Sequence, residues 1–202
     1  ADAGVLSFDA STATGKIVAD LSTGTTANFT SAKGGAGDSD VVVLGGANIS
    51  VSLLANNLSK FSGFETLKID TANNITLSAD SAGISSFDLT GGANAAQTLT
   101  LNDGYTSDTT VTIENTNDSI VNAANVGLTV TGAGATLAAA SAITGGTGTD
   151  NFVAIHDGAA TTISANVTGF ETLTLATSAA GPTATIDLTT DDTNIAAGKS
   201  LT

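Results

Sequence analysis

The sequence predicts an all-β protein, an elongated parallel β-solenoid or β-roll-like stack of short strands. Three observations carry this: apolar residues two apart recur at a fixed step, turn formers separate them, and two short words recur in the same order. The pairs are Ile75/Leu77, Phe87/Leu89, Leu99/Leu101 and Val111/Ile113, each beginning twelve residues after the last. Apolar residues at i and i+2 share one face of a strand. Between them lie Asn73-Asn74, Gly91-Gly92 and Asp103-Gly104, with Gly132-Ala133-Gly134 further on, all residues that bend a chain. Such a repeat suits a coil that stacks rung on rung. An antiparallel β-sandwich with short hairpins gives similar spacing and is the alternative.

Looser segments extend the pattern: Ile17-Val18, Val41-Val42-Val43, Val51/Leu53, Leu67/Ile69, Leu128/Val130, Phe152-Val153, Leu173/Leu175 and Ile186/Leu188. Two stretches break it. Leu54, Leu58 and Phe61 at i, i+4 and i+7 predict a short helix over 52–61, and Ala-rich 135–142 predicts a helical turn.

The longer repeat pairs GGAGDSDVVV with SGFETLKI, and later GGTGTDNFV with TGFETLTL. The words divide the chain into a leading β segment (1–33), a first solenoid part (34–142) and a second part (143–202) cut short by the chain end. Ala1-Asp2-Ala3-Gly4 opens a sequence without Met or a basic-then-apolar leader, so the chain is expected to be a piece of a longer protein.

Composition narrows the function. Five Lys, no Arg and nineteen acidic residues leave a formal net charge of −14, which disfavours any grip on a phosphate backbone. No run of about eighteen apolar residues is present to span a membrane. Without Cys there are no disulfides and no thiolate sites, and a lone His156 builds no His-rich metal centre. Neither a G-x-S-x-G elbow, an H-E-x-x-H pair nor a phosphate-binding loop is found, so no enzyme is expected. His156-Asp157-Gly158 reads as a strand-to-turn junction.

GGTGTDNFV matches the nonapeptide G-G-x-G-x-D-x-U-x that binds calcium in parallel β-rolls. In that reading Gly145, Gly146 and Gly148 adopt positive φ and turn carbonyls inward, Asp150 adds a hard anionic oxygen, and Phe152 starts the strand. The earlier word places Gly34, Gly35 and Gly37 likewise, but Ser39 stands at the acidic position, leaving Asp38 and Asp40 to serve in a shifted register. Tandem copies are missing, so further ligands have to come from loop acids: Asp103, Asp108, Asp118, Asp157, Asp191 and Asp192. Glu65 and Glu171, at matching places in GFETL, either complete such a site, bond turn amides or lie in solvent.

These words, followed by Thr/Ala-rich β segments, resemble bacterial surface-layer proteins of the RTX, type I-secreted kind, over most of residues 34–202. The resemblance implies a secreted structural protein at the cell surface, whose calcium-stiffened solenoid tiles a two-dimensional lattice with copies of itself. It also implies an anchor to lipopolysaccharide through a region outside this chain. Carried over residue by residue, Gly145, Gly146, Gly148 and Asp150 would hold Ca²⁺, as would Gly34, Gly35, Gly37, Asp38 and Asp40; chelation is then expected to lower the melting temperature. A calcium-rigidified module of a type I-secreted adhesin is the alternative. An ice-binding solenoid is a third, drawn from Thr98/Thr100 and Thr110/Thr112 as a Thr array two rungs long, which β-propensity alone also explains.

Overall fold

In the computed structural model the described residues are 7–22, 30–37, 39–45, 60–70, 75–79, 83–91, 96–114, 116–133, 141–156, 161–177, 188–189 and 193–199. They form short strands. In chain order these begin with β1 (Ser7–Asp9), β2 (Val18–Asp20), β3 (Ser31–Lys33), β4 (Val41–Gly45), β5 (Phe61–Ser62) and β6 (Thr66–Asp70). Next come β7 (Ile75–Ala79), β8 (Ser86–Asp88), β9 (Gln97–Leu101), β10 (Thr109–Ile113), β11 (Ser119–Asn122) and β12 (Leu128–Ala133). The last are β13 (Ile143–Thr144), β14 (Asn151–His156), β15 (Thr161–Thr162), β16 (Val167–Thr168), β17 (Thr172–Thr177) and β18 (Leu188–Thr189).

Among the described residues every strand pairing is parallel. One sheet has eight strands in the order β17-β14-β12-β10-β8-β6-β4-β2, and a second has five in the order β16-β13-β11-β9-β7. Parallel neighbours need a crossover of a dozen or more residues. Here the crossover is itself a strand of another sheet, which is what makes the chain a β-solenoid. The sandwich alternative falls, because it requires antiparallel pairs.

The twelve-residue step turns out to be half a coil. Phe87 pairs with Val111 in the large sheet, while Leu77 pairs with Leu99 in the second, so consecutive pairs alternate between sheets. The two T-x-T pairs 98/100 and 110/112 therefore lie on different sheets and are not neighbouring rungs. The neighbours of Thr110 and Thr112 are Thr129 and Thr131 on one side and Ser86 and Asp88 on the other.

The period-2 pattern stacks apolar side chains in register. Ala19, Val42, Leu67, Phe87, Val111, Val130, Phe152 and Leu173 form one inward column along the large sheet, all buried. Leu99, Ile120, Ile143 and Val167 form another along the second sheet. Corner aromatics close the gaps: Phe152 meets Phe170 edge-on at 5.2 Å between ring centroids, and Phe87 meets Tyr105 at 6.3 Å. Burying each large side chain contributes about 1.5–3 kcal/mol, so these columns supply the main drive to fold.

No α-helix occurs among the described residues. Of the helix expected over 52–61, residues 52–59 lie outside the described set, Lys60 is 3₁₀-helical, and Phe61–Ser62 is strand. Pairing of Phe61 with Ala32 puts this residue in a strand rather than at the end of a helix. Of 135–142, only 141 and 142 are described, and neither is helical; Val51/Leu53 and Ile186 also lie outside. No helix among the described residues is long and apolar enough to cross a membrane.

Charge on the large sheet's outer face is concentrated in its earlier rungs. Lys68 donates to Asp88 Oδ2 at 3.0 Å across neighbouring strands, both side chains about a third exposed or less. Asp88 lies below its ordinary carboxyl value: burial raises it, but the hydroxyl and amide of Thr90 and the Lys68 ammonium together outweigh that. A carboxyl lowered on folding adds stability that is present above its unfolded value and is lost as pH falls through the folded one. Lys68→Ala is expected to cost no more than about 1 kcal/mol in urea unfolding at neutral pH, with the difference shrinking as acid protonates Asp88.

Candidate functional site

The two word pairs build the same corner twice. In the later copy, Asp150 is fully buried; its Oδ2 accepts the Gly146 N–H at 2.6 Å, and its Oδ1 accepts the Leu128 N–H at 2.7 Å. Its own N–H donates to Glu171 Oε2 at 2.7 Å, and its carbonyl accepts from Glu171 and Thr172 N–H, each at 3.1 Å. One residue thus ties its turn to the rung before (Leu128) and the rung after (Glu171, Thr172).

The earlier copy repeats this with Asp40, also fully buried. Gly35 N–H donates to Oδ2 at 2.6 Å and Ile17 N–H to Oδ1 at 2.7 Å, while the Asp40 N–H donates to Glu65 Oε2 at 2.8 Å. Its carbonyl accepts from Glu65 at 3.1 Å and Thr66 at 3.0 Å. Asp40, not Asp38, is therefore the counterpart of Asp150: the extra residue in GGAGDSD is absorbed between Gly37 and Asp40. Asp38 lies outside the described residues.

Glycine serves these corners differently from the sequence expectation. Gly34, Gly35, Gly37, Gly145, Gly146 and Gly148 do not have positive φ; the GFETL glycines do, Gly63 at +67° and Gly169 at +78°. The word-opening glycines are instead required by close approach. A Cβ on Gly145 would lie 2.4 Å from Gly169 O and 2.8 Å from Asp150 Oδ2, and one on Gly148 would lie 2.2 Å from Val126 O. Rungs spaced about 4.7–4.9 Å apart leave no room there for a side chain. Gly37 is less confined, its nearest neighbour being Asp40 Oδ1 at 3.5 Å.

Glu65 and Glu171, half-buried, are turn-amide acceptors, one of the three roles open from sequence. Sequence reasoning missed Asn122, buried, whose Nδ2 donates to Val126 O at 3.0 Å and reaches Asp150 Oδ1 at 3.5 Å. Its only signal is an Asn at a strand end where the neighbouring strand carries Leu101. Asp118, buried, accepts the Gln97 N–H at 3.1 Å, and exposed Asp108 accepts the Gly127 N–H at 2.8 Å. Asp103 sits exposed in a turn, while Asp157, Asp191 and Asp192 lie outside the described residues. His156 ends β14, buried.

These donor sets decide how calcium fits. Ca²⁺ takes six to eight oxygen ligands, yet each oxygen of the Asp40 and Asp150 carboxylates already faces an amide hydrogen, the positive end of a dipole, at a place closed to solvent. Among the described residues no three acidic or His side chains converge. Burial pushes the Asp150 carboxyl above its ordinary value; the Leu128 and Gly146 amides pull it back, and the Glu171 carboxylate pushes it up again. A bound dication beside it would act in the opposite direction. The corners do not fit a calcium shell.

Fold and corners together define a parallel β-solenoid whose rungs are tied by buried carboxylates. Comparison with protein families, curated proteins and solved structures finds no match to this chain.

Proposed function

We propose that this chain is a structural brick of a bacterial surface layer, exported to the cell surface and packed there against copies of itself. The observation that carries this reading is an uncharged outer face on a body of net charge −14. Across β10, β12, β14 and β17 the outward rows are Thr110, Thr129, Asn151 and Thr172, then Thr112, Thr131, Val153 and Thr174. No charged residue occurs in those four strands, whereas Asp20, Lys68 and Asp88 mark the outer face of the earlier rungs. Polyanions repel one another, so copies meet at least electrostatic cost along this sector. Calcium, implied by the family resemblance, enters as a counterion of exposed carboxylates such as Asp103, Asp108 and Glu114 between copies, not at the buried corners. Attachment to lipopolysaccharide belongs to a region outside these residues.

Electron microscopy of the purified chain, with calcium and with chelator, tests this reading. Ordered arrays are expected with calcium, and Thr131→Lys/Val153→Lys is expected to abolish them while leaving circular dichroism unchanged. Monomers under every ionic condition would defeat the proposal in favour of an adhesin module. One observation favours a second reading: T-x-T stands on β10 and β12 as adjacent rungs and again on β17, interrupted at β14 by Asn151 and Val153. Inhibition of ice recrystallisation, lost in the same double variant, would identify the face as an ice binder.

A further inference from the structure

We infer that each Gly-Gly-x-Gly word with its following Gly-Phe-Glu-Thr-Leu word is a metal-free rung clamp, in which an aspartate carboxylate fills the place that a β-roll gives to calcium. The inference rests on the corner geometry alone and stands or falls apart from the surface-layer reading.

The acceptor count closes without an ion. Asp150 supplies acceptors for Leu128 and Gly146 N–H, and Glu171 supplies one for the Asp150 N–H. The first turn amide, Gly145 N–H, is taken by Thr168 O at 2.9 Å, as Gly34 N–H is by Ser62 O at 2.8 Å. Buried backbone amides are costly when unpaired, and here those facing the carboxylate are paired by protein. The two copies agree in every one of these contacts despite a one-residue difference in word length, so the pairing is a property of the words and not of one local accident. The word pair also has a division of labour. The aspartate reaches backward to the preceding rung, and the glutamate, carried one rung onward by the solenoid, reaches back to the aspartate amide. A Gly/Asp word without its Glu partner lacks the last bond, which makes GFETL the second half of one motif.

The consequence is a solenoid whose rigidity does not depend on calcium. Thermal melts of the chain in millimolar CaCl₂ and in EGTA are expected to coincide within about a degree. Glu171→Ala strands the Asp150 N–H and is expected to lower the midpoint by about 3–6 °C, equally in both buffers. Glu65→Ala is expected to do the same at the other corner, with the two shifts adding because the corners share no contact. Glu171→Gln, which keeps an acceptor oxygen, is expected to restore most of the loss and guards against a variant that simply fails to fold. A wild-type midpoint that rises with calcium, together with loss of that rise in Asp150→Asn, would overturn the inference. So would a Glu171→Ala shift that calcium cancels. Arrays that form only with calcium, on a chain whose melt ignores it, would uphold the clamp and the lattice together.

Discussion

Replacing Asp150 with alanine is expected to lower the stability of the chain by about 3–5 kcal/mol, since it strands the buried Leu128 amide and the part-buried Gly146 amide, both bonded to its carboxyl oxygens. The side chain is fully buried, with Leu128 N–H from the preceding rung and Gly146 N–H from its own turn pointing at its two oxygens. Removing it leaves both amides without the carboxylate they bond, in a corner that Asn122 shares. A domain of this size is stable by roughly 5–15 kcal/mol, so the variant still folds and keeps its strand circular dichroism, with its urea midpoint displaced strongly downward. Asp150→Asn retains one acceptor oxygen but turns an amide group toward the other N–H, and is expected to fall between the two. Asp40→Ala repeats the experiment at the other corner, against Ile17 and Gly35. Equilibrium urea unfolding measures both; a loss below about 1 kcal/mol at either would mean that water reaches the stranded amides and that the carboxylate is dispensable.

Much of this fold is legible in the sequence because a parallel solenoid repeats its chemistry at every rung. Ile75/Leu77 through Val111/Ile113 announce strands, and strands they are. What the spacing alone does not say is which strand neighbours which: a twelve-residue step fits one rung per repeat as well as half a rung, and only the pairing of Phe87 with Val111 separates the two. The word pairs were visible as a repeat, and Asp150 as a residue of consequence. Their chemistry was less visible. Glycine followed by aspartate is equally good at presenting oxygens to a cation and at receiving amides from an adjacent rung, and local sequence is the same in either case. The partners that decide between them, Leu128 at one remove and Glu171 at another, come from other turns of the coil. Which of Asp38 and Asp40 takes this place was hidden for the same reason: the acceptor is whichever carboxylate meets Ile17 and Gly35, and that is a property of rung height.

The larger effect is expected at a glycine. A Cβ built on Gly34 falls 1.8 Å from Gly63 O and 2.7 Å from Gly63 C, with Asp40 Oδ2 at 3.1 Å. These first two contacts are backbone, and neither can swing aside. Gly34 N–H is bonded to Ser62 O, Ala32 is paired with Phe61 just before it, and Val41 is paired with Thr66 just after. Opening the corner enough to admit a methyl group therefore parts two rungs held on either side, and Gly34→Ala is expected to cost about 5 kcal/mol or more, at the diagnostic end of single substitutions. Gly145→Ala, at 2.4 Å from Gly169 O, is expected to follow closely. Two further glycines separate crowding from conformation. Gly63 has φ +67° and its Cβ would meet the Gly34 and Gly35 carbonyl oxygens at 3.2 Å, so its alanine variant carries the left-handed cost of about 1–2 kcal/mol plus a small backbone adjustment, far less crowding than at Gly34. Gly15 meets nothing within 4 Å, and Gly15→Ala is expected to change stability by less than about 0.5 kcal/mol. The order Gly34, Gly63, Gly15 in urea unfolding is what close approach demands. If the first word's glycines served to turn carbonyls toward an ion at positive φ, Gly34→Ala would cost no more than Gly63→Ala, and its deficit would depend on calcium.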